Sequence, residues 1–162
     1  MSTTQGIDAK AYLIGWLNAL TGMYSADIAA IPDDQWTTTH GGCTRSACDL
    51  TADAVALLVW TAQALNGSAS SDTESYMTEQ ITAECSTKAG AIAKLGSASQ
   101  AMGAALAAAS DEALGKVVTP PWQMDAPLFM ICHIAVSHLW YHDGQLNYIQ
   151  CLLGDDKVHW MG

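Results

Sequence analysis

The chain has 162 residues, half of them hydrophobic, and a formal net charge of −10 at pH 7. We expect a single domain over residues 1–162, because this length suffices for one sizeable hydrophobic core, and the apolar content excludes a disordered chain. The six basic residues are scattered and form no basic patch, so nucleic acid is not an expected partner.

The first ten residues, MSTTQGIDAK, lack the basic and apolar regions of a signal peptide. No apolar run approaches the roughly 20 residues that cross a bilayer, so no membrane association is expected. The five cysteines are odd in number and lack Cys-x-x-Cys spacing, which favours free thiols in a reducing cytoplasm. Cys132 and Cys151 lie in apolar helical stretches and are expected to be small core residues. The sequence therefore predicts a cytoplasmic protein.

A first amphipathic helix is predicted over about residues 7–30. Apolar side chains recur there at spacings of three and four, as they do on one face of a helix. This predicted core face consists of Tyr12, Leu13, Trp16, Leu17, Leu20, Tyr24 and Ile28. Pro32 ends the helix, since a proline disfavours helical backbone in the residue before it.

A second helix is predicted to begin near Thr44 or Ser46, either of which can cap it. Asp49 follows Ser46 by three residues in a capping-box pattern. The helix should continue to NGSASSD, at residues 66–72. Its predicted apolar stripe is Leu50, Ala54, Leu57, Leu58, Thr61 and Leu65.

A third, weakly amphipathic helix is predicted over about residues 72–109, with a bend or break favoured by Gly90, Gly96 and Gly103. A short helical turn is expected at SDEAL, and an extended loop at VVTPPWQMDAP. The fourth helix should begin near Asp125 and end at Leu153. Four helices without a strand pattern of period two predict an all-α protein, a four-helix bundle.

The fourth helix carries His138 and His142 one turn apart, in line with Ile131, Ala135, Gln145, Ile149 and Leu152. Both histidines should therefore face the core, and Asp53 lies beside the core stripe of the second helix. Two imidazoles and a carboxylate can bind a divalent ion such as Zn, Ni, Fe or Mn. An Asp–His–His hydrogen-bonded cluster without metal explains the same pattern. The other histidines, His40, His133 and His159, are expected to have solvated or packing roles.

Two stretches of the chain resemble the DinB-like (YfiT-like) superfamily of four-helix bundles. HIAVSHLWYHDGQLNYIQCLLGD with the closing DKVHW is similar to the last helix and tail of that family, in which His-x-x-x-His is followed closely by Gly-Gln. WTTTHGGCTRSACDLTAD resembles the entry to its second helix. The resemblance implies metal ligands at His138 and His142. The third ligand of the family is usually a histidine, and this chain has Asp53 at that place.

The resemblance implies a metal-dependent reaction on a small molecule, as in the thiol S-transferase and isomerase relatives, or a hydrolysis. It also implies a low-molecular-weight thiol as a possible cofactor and a homodimer. No Ser-His-Asp order, Walker-type loop or dinucleotide fingerprint is present. The alternative is a non-catalytic helical bundle, a dimer or binding module, in which the Asp–His–His cluster is structural and holds no metal.

Overall fold

The computed structural model describes residues 8–72 and 76–161. Its elements in chain order are α1 (Ala9–Ala30), a 3₁₀ turn (Asp33–Gln35), α2 (Ala47–Leu65), α3 (Glu79–Glu84), α4 (Lys88–Ala108), α5 (Asp111–Gly115), β1 (Val117–Val118), β2 (Ala126–Pro127) and α6 (Leu128–Leu152). The fold is mostly helical, which confirms the all-α prediction.

The long helices α1, α2, α4 and α6 enclose the main hydrophobic core. α1 and α2 each pack against both α4 and α6. The largest fully buried side chains come from all four of these helices and the residue after α1: Leu17, Leu20, Tyr24, Ile28, Ile31, Leu58, Leu95, Met102, Leu106, Ile131, Leu139 and Leu146. This packing presses α6 against two helices at once, so α6 buries more than one of its faces.

The buried face of α1 differs from the predicted one at its beginning. Leu13, Leu17 and Leu20 are buried, but Tyr12 and Trp16 are exposed. A spacing of exactly four residues advances about 40° per step around a helix, so a run of such steps winds away from the core. The predicted inclusion of Tyr12 and Trp16 in the core face is therefore wrong.

The start of α2 confirms the predicted capping box. The Ser46 hydroxyl accepts a hydrogen bond from the Asp49 backbone N–H at 3.1 Å, and the Asp49 carboxylate accepts one from the Ser46 backbone N–H at 3.3 Å. The helix is 19 residues long and apolar enough to meet the length and composition of a membrane span, which the sequence analysis did not expect. Most of it is buried inside the fold, as is common for a core helix.

The predicted third helix is two helices, α3 and α4, separated at residues 85–87. The Thr87 hydroxyl accepts a hydrogen bond from the Gly90 backbone N–H at 3.1 Å and starts α4 afresh. A Cβ at Gly90 would collide with the Glu84 carbonyl, so glycine permits the close approach of the two helices. Gly96 and Gly103 lie inside an unbroken α4, so the chain does not break at these two positions.

The proline-containing segment before α6 forms a small antiparallel pair instead of a simple loop. Val117 pairs with Pro127 and Val118 with Ala126. The backbone N–H of Leu128 donates to the Lys116 carbonyl at 2.8 Å, which anchors the start of α6. α6 consequently begins at Leu128, three residues later than the Asp125 expected from the sequence.

All five cysteines are free thiols. Cys132 is fully buried in the core, as predicted, whereas Cys151 is exposed. Cys151 lies in the last turn of α6, where this side of the helix faces solvent. The prediction of Cys151 as a core residue is therefore wrong.

Candidate metal centre

Asp53 on α2 meets His138 and His142 on α6 where these two helices pack together. The Nε2 atoms of the two histidines are 3.0 Å apart. Asp53 Oδ2 lies 3.3 Å from His142 Nε2 and 3.9 Å from His138 Nε2. The structure thus brings together the three residues that the sequence analysis selected; we call them the histidine cluster.

The position of the histidine cluster follows from the helical spacing of α6. His138 and His142 are one turn apart and lie on the same face. The side chain of His142 is only 3% exposed, while that of His138 is 24% exposed and that of Asp53 16% exposed. The cluster therefore has one buried imidazole at its base and an edge open to solvent at His138.

Gln145 determines which nitrogen of His142 is turned into the cluster. The Nδ1–H of His142 donates to Gln145 Oε1 at 2.5 Å, one turn further along α6. With Nδ1 protonated, Nε2 of a neutral His142 carries a lone pair directed at Asp53 and His138. That lone pair can accept a hydrogen bond from the Nε2–H of a neutral His138, 3.0 Å away, or bind a metal ion. It can bond to Asp53 Oδ2, which is itself an acceptor, only if Nε2 carries a proton.

Arg45 and Tyr76 hold the carboxylate of Asp53. Arg45 donates from Nη1 to Asp53 Oδ2 at 2.6 Å and from Nη2 to the Asp49 carbonyl at 2.7 Å. The Tyr76 hydroxyl donates to Asp53 Oδ1 at 3.1 Å. Burial alone would raise the pKa of Asp53, but its contacts with His142 and Arg45 outweigh the burial and hold this pKa well below its usual value. Asp53 is therefore a carboxylate at neutral pH.

The imidazole of His138 is neutral at neutral pH. Burial, together with the neighbouring His142, lowers the pKa of His138 to about 4. A neutral imidazole is the form that coordinates a metal. The Nδ1 atom of His138 is buried and has no hydrogen-bond partner among the described residues, so no counterpart of Gln145 orients this ring.

The donor set fits a divalent transition metal ion. An ion bound at about 2.0–2.2 Å from nitrogen and oxygen ligands separates those ligands by roughly 3–3.5 Å. The distances between the two Nε2 atoms and from His142 Nε2 to Asp53 Oδ2 lie in that range, at 3.0 and 3.3 Å. The 3.9 Å from Asp53 to His138 exceeds it by a few tenths of an ångström. Arg45 uses only one side of Oδ2, which leaves acceptor capacity facing the histidines.

Sequence reasoning missed Arg45 and Tyr76 as parts of this site. Arg45 is one of six scattered basic residues, and Tyr76 falls near the start of the predicted third helix. Neither lies in a helix, so no periodicity connects either residue with Asp53. The remaining histidines stay outside the cluster: His133 is exposed, and His159 contacts Asp155 at 2.8 Å.

A second polar cluster lies on another face of α6, against α1. Asp27, Asp143 and Gln150 are buried, and we call these residues with Asn147 the carboxylate cluster. Asn147 Nδ2 donates to Asp27 Oδ2 at 2.9 Å, and Gln150 Nε2 donates to Asp27 Oδ1 at 3.2 Å. Burial, and then the charge of Asp27, raise the pKa of Asp143 to about 8, which favours one proton held by this pair of carboxyl groups.

No protein-family model matches the sequence, and no curated protein is similar to it. The motifs of the chain and the geometry of the histidine cluster are therefore the features that point to a function.

Proposed function

We propose that the chain is a four-helix bundle of the DinB-like (YfiT-like) type that binds a divalent metal ion through Asp53, His138 and His142. Its proposed activity is a metal-dependent reaction on a small molecule. The reaction is a thiol S-transfer, an isomerisation or a hydrolysis. The proposal combines the His-x-x-x-His-x-x-Gln run of α6 with the packing of α6 against α2.

The observation that carries the proposal is the convergence of three possible ligand atoms on one point. Two imidazole Nε2 atoms and one carboxylate oxygen lie within 4.8 Å of one another. The hydrogen bond from His142 Nδ1 to Gln145 selects the tautomer that presents Nε2 as a ligand. Three protein ligands with an edge open to solvent are typical of catalytic metal sites, since such sites keep a position for water or substrate.

A bound metal ion lowers the pKa of a water or thiol beside it, and so supplies a nucleophile at neutral pH. The protein's own residues prepare the site. Arg45 and Tyr76 fix the orientation of the Asp53 carboxylate, and Gln145 fixes the ring of His142. Because these side chains are held before any ligand arrives, little conformational entropy is lost when one binds.

Metal stoichiometry tests the proposal directly. Protein prepared without a histidine tag is stripped with a chelator, incubated separately with Zn, Ni, Mn and Fe(II), desalted, and analysed by plasma mass spectrometry. We expect about one ion per chain for at least one of these metals. Absence of a stoichiometric ion for all four metals would contradict the metal-dependent function.

One observation favours the non-catalytic alternative, a dimer or binding module with a structural cluster. Asp53 already has a cationic partner in Arg45, at 2.6 Å, and a protonated His142 would satisfy its second side. This arrangement needs no metal ion. The same stoichiometry measurement separates the two functions. The homodimer and the low-molecular-weight thiol expected from the resemblance stay predictions.

A further inference from the structure

A cavity of about 400 Å³ opens beside the histidine cluster, between the loop before α2 and the last turns of α6. The cavity is lined by Gly41, Gly42, Cys43, Thr44, Arg45, Leu50, Gln145, Tyr148 and Ile149. Two lining residues touch the cluster: Arg45 contacts Asp53, and Gln145 contacts His142. A molecule in this cavity would therefore lie one side chain away from the candidate metal ligands. Its size suits a ligand of roughly ten to fifteen non-hydrogen atoms.

Arg45 gives this cavity a preference for anions. Among the described residues that line the cavity, it alone has a charged side chain, in a chain whose net charge is −10. Its side chain is 40% exposed and uses two of its five N–H donors, one on Asp53 and one on the Asp49 carbonyl. The remaining donors can bind a carboxylate, which the planar guanidinium recognises through paired hydrogen bonds.

Other residues of the lining are apolar or aromatic. These are Leu50, Ile149 and Tyr148, whose ring is largely exposed. A ligand with a carboxylate at one end and a flat apolar body at the other would bury that body here and keep its charge on Arg45. A cation or a uniformly polar ligand would gain nothing from this combination.

We propose that this cavity binds a small monocarboxylate with an apolar or aromatic body, anchored by Arg45. As the substrate class of the metal centre, the proposal rests on the proposed function. As a binding site it does not need the metal ion, because every residue that carries it is present in the protein alone. The two can therefore fail independently.

Arg45 also couples the cavity to the histidine cluster. The guanidinium forms an ion pair with Asp53, with 2.6 Å between Arg45 Nη1 and Asp53 Oδ2. A divalent ion on Asp53 would neutralise that carboxylate and leave the charge of Arg45 free for the ligand. Metal ion and carboxylate should therefore strengthen each other's binding, and this coupling must be reciprocal.

The test uses benzoate and its neutral isostere benzamide as probes on the full chain. Arg45 is the only arginine in the sequence, so ¹⁵Nε-arginine labelling gives a single side-chain resonance to follow. We expect benzoate to move this resonance saturably in metal-free protein and to bind about tenfold more tightly than benzamide. In protein loaded with Zn, we expect the benzoate affinity to rise by about fivefold or more.

Two variants accompany the titration. Arg45→Gln should lose the preference for benzoate, and Arg45→Lys should keep part of it because the charge remains. The matched control is Lys10→Gln, in a larger cavity of about 660 Å³ whose lining also contains Asp8 and Asp111. Lys10 lies 3.8 Å from Asp111, so removing its charge should leave benzoate binding unchanged. Thermal melting of each variant shows whether it is folded.

The proposal is overturned if benzamide binds as tightly as benzoate, or if benzoate leaves the Arg45 resonance of the wild-type protein unmoved. Unchanged benzoate binding in a folded Arg45→Gln variant would overturn it as well. Benzoate binding on Arg45 in a protein that takes up no metal supports the cavity and refutes the metal centre. Metal uptake without benzoate binding supports the metal centre and refutes the cavity as a carboxylate site.

Discussion

The two polar clusters on α6 each contain a carboxylate that is largely withdrawn from solvent, and they stabilise it in different ways. In the histidine cluster, Asp53 has a cation in Arg45 and two imidazoles beside it, with an edge open to solvent. In the carboxylate cluster, Asp27 is fully buried and accepts hydrogen bonds from the amides of Asn147 and Gln150, and its charge helps to raise the pKa of Asp143. No lysine, arginine or histidine in the described ranges is paired with Asp27 or Asp143.

The difference shows how a site is distinguished from a structural network. A buried carboxylate must be neutralised, and amide donors with a shared proton do so inside a closed core. The carboxylate cluster joins α1 to α6 in this way, and Asp27, Asp143 and Gln150 are buried there. The histidine cluster combines charge, lone pairs and access, and these are the properties that metal binding requires.

The largest expected effect is the loss of metal binding when His142 is replaced. His142→Ala removes the buried ligand that Gln145 orients, so the metal affinity should fall at least about 100-fold, more than the loss of a supporting hydrogen bond produces. Isothermal titration of tag-free protein measures the change. His133→Ala, on the exposed side of the same helix, is the control and should bind metal as the wild type does. If His142→Ala and His133→Ala bind the metal ion equally tightly, His142 is not one of its ligands.

A large effect on folding is expected in the carboxylate cluster. Asp27→Ala removes the carboxylate that accepts from Asn147 Nδ2 and Gln150 Nε2. Each amide then keeps only a backbone acceptor, the Asp143 and the Asp27 carbonyl respectively. The free energy of unfolding should fall by about 3 kcal/mol in urea denaturation. Asp33→Ala is the control, since the Asp33 side chain is largely exposed, although it pairs with Lys88. A loss no larger than that of the control would mean that the carboxylate cluster does not stabilise the fold.

The pH dependence of stability should separate the two clusters further. The pKa of Asp143 in the folded protein is raised to about 8, so folding favours its protonated form. This contribution is complete below the unfolded pKa near 4 and is lost as the pH rises through about 8. Asp143→Asn keeps a donor for Asp27 without titrating, so the decline in unfolding free energy between these pH values should become shallower. Denaturant midpoints at several pH values measure it, and an unchanged slope would contradict the shared proton.

The smallest expected effect concerns the orientation of Asp53. Tyr76→Phe removes one hydrogen bond, at 3.1 Å, and leaves the ring in place. The metal affinity should fall about tenfold, since outer hydrogen bonds to metal ligands contribute at that level. Tyr148→Phe, on the outer side of the adjacent cavity, is the matched control and should leave the metal affinity unaltered. A metal affinity that is the same in Tyr76→Phe and in the control would show that Arg45 alone orients the carboxylate.

Features governed by neighbours within one helix could be predicted from the sequence. The helical period of 3.6 residues explains three of these features. They are the capping box of Ser46 and Asp49, the shared face of His138 and His142, and the position of Asp53 beside a core stripe. For the same reason the all-α class was predictable. The break before α4 was placed less well, because glycines only permit a break, and the Thr87 cap determines where it falls.

Features that join separate elements were decided by the tertiary structure alone. Nothing in the sequence pairs Arg45 or Tyr76 with Asp53, or Asp27 with Asp143, because such contacts depend on how each helix is rotated against its neighbours. The same rotation leaves Trp16 exposed on α1 while Leu17 is buried. The sequence by itself determined which residues of α6 can act together, and the packing of α2 and α1 against α6 determined which partners they meet.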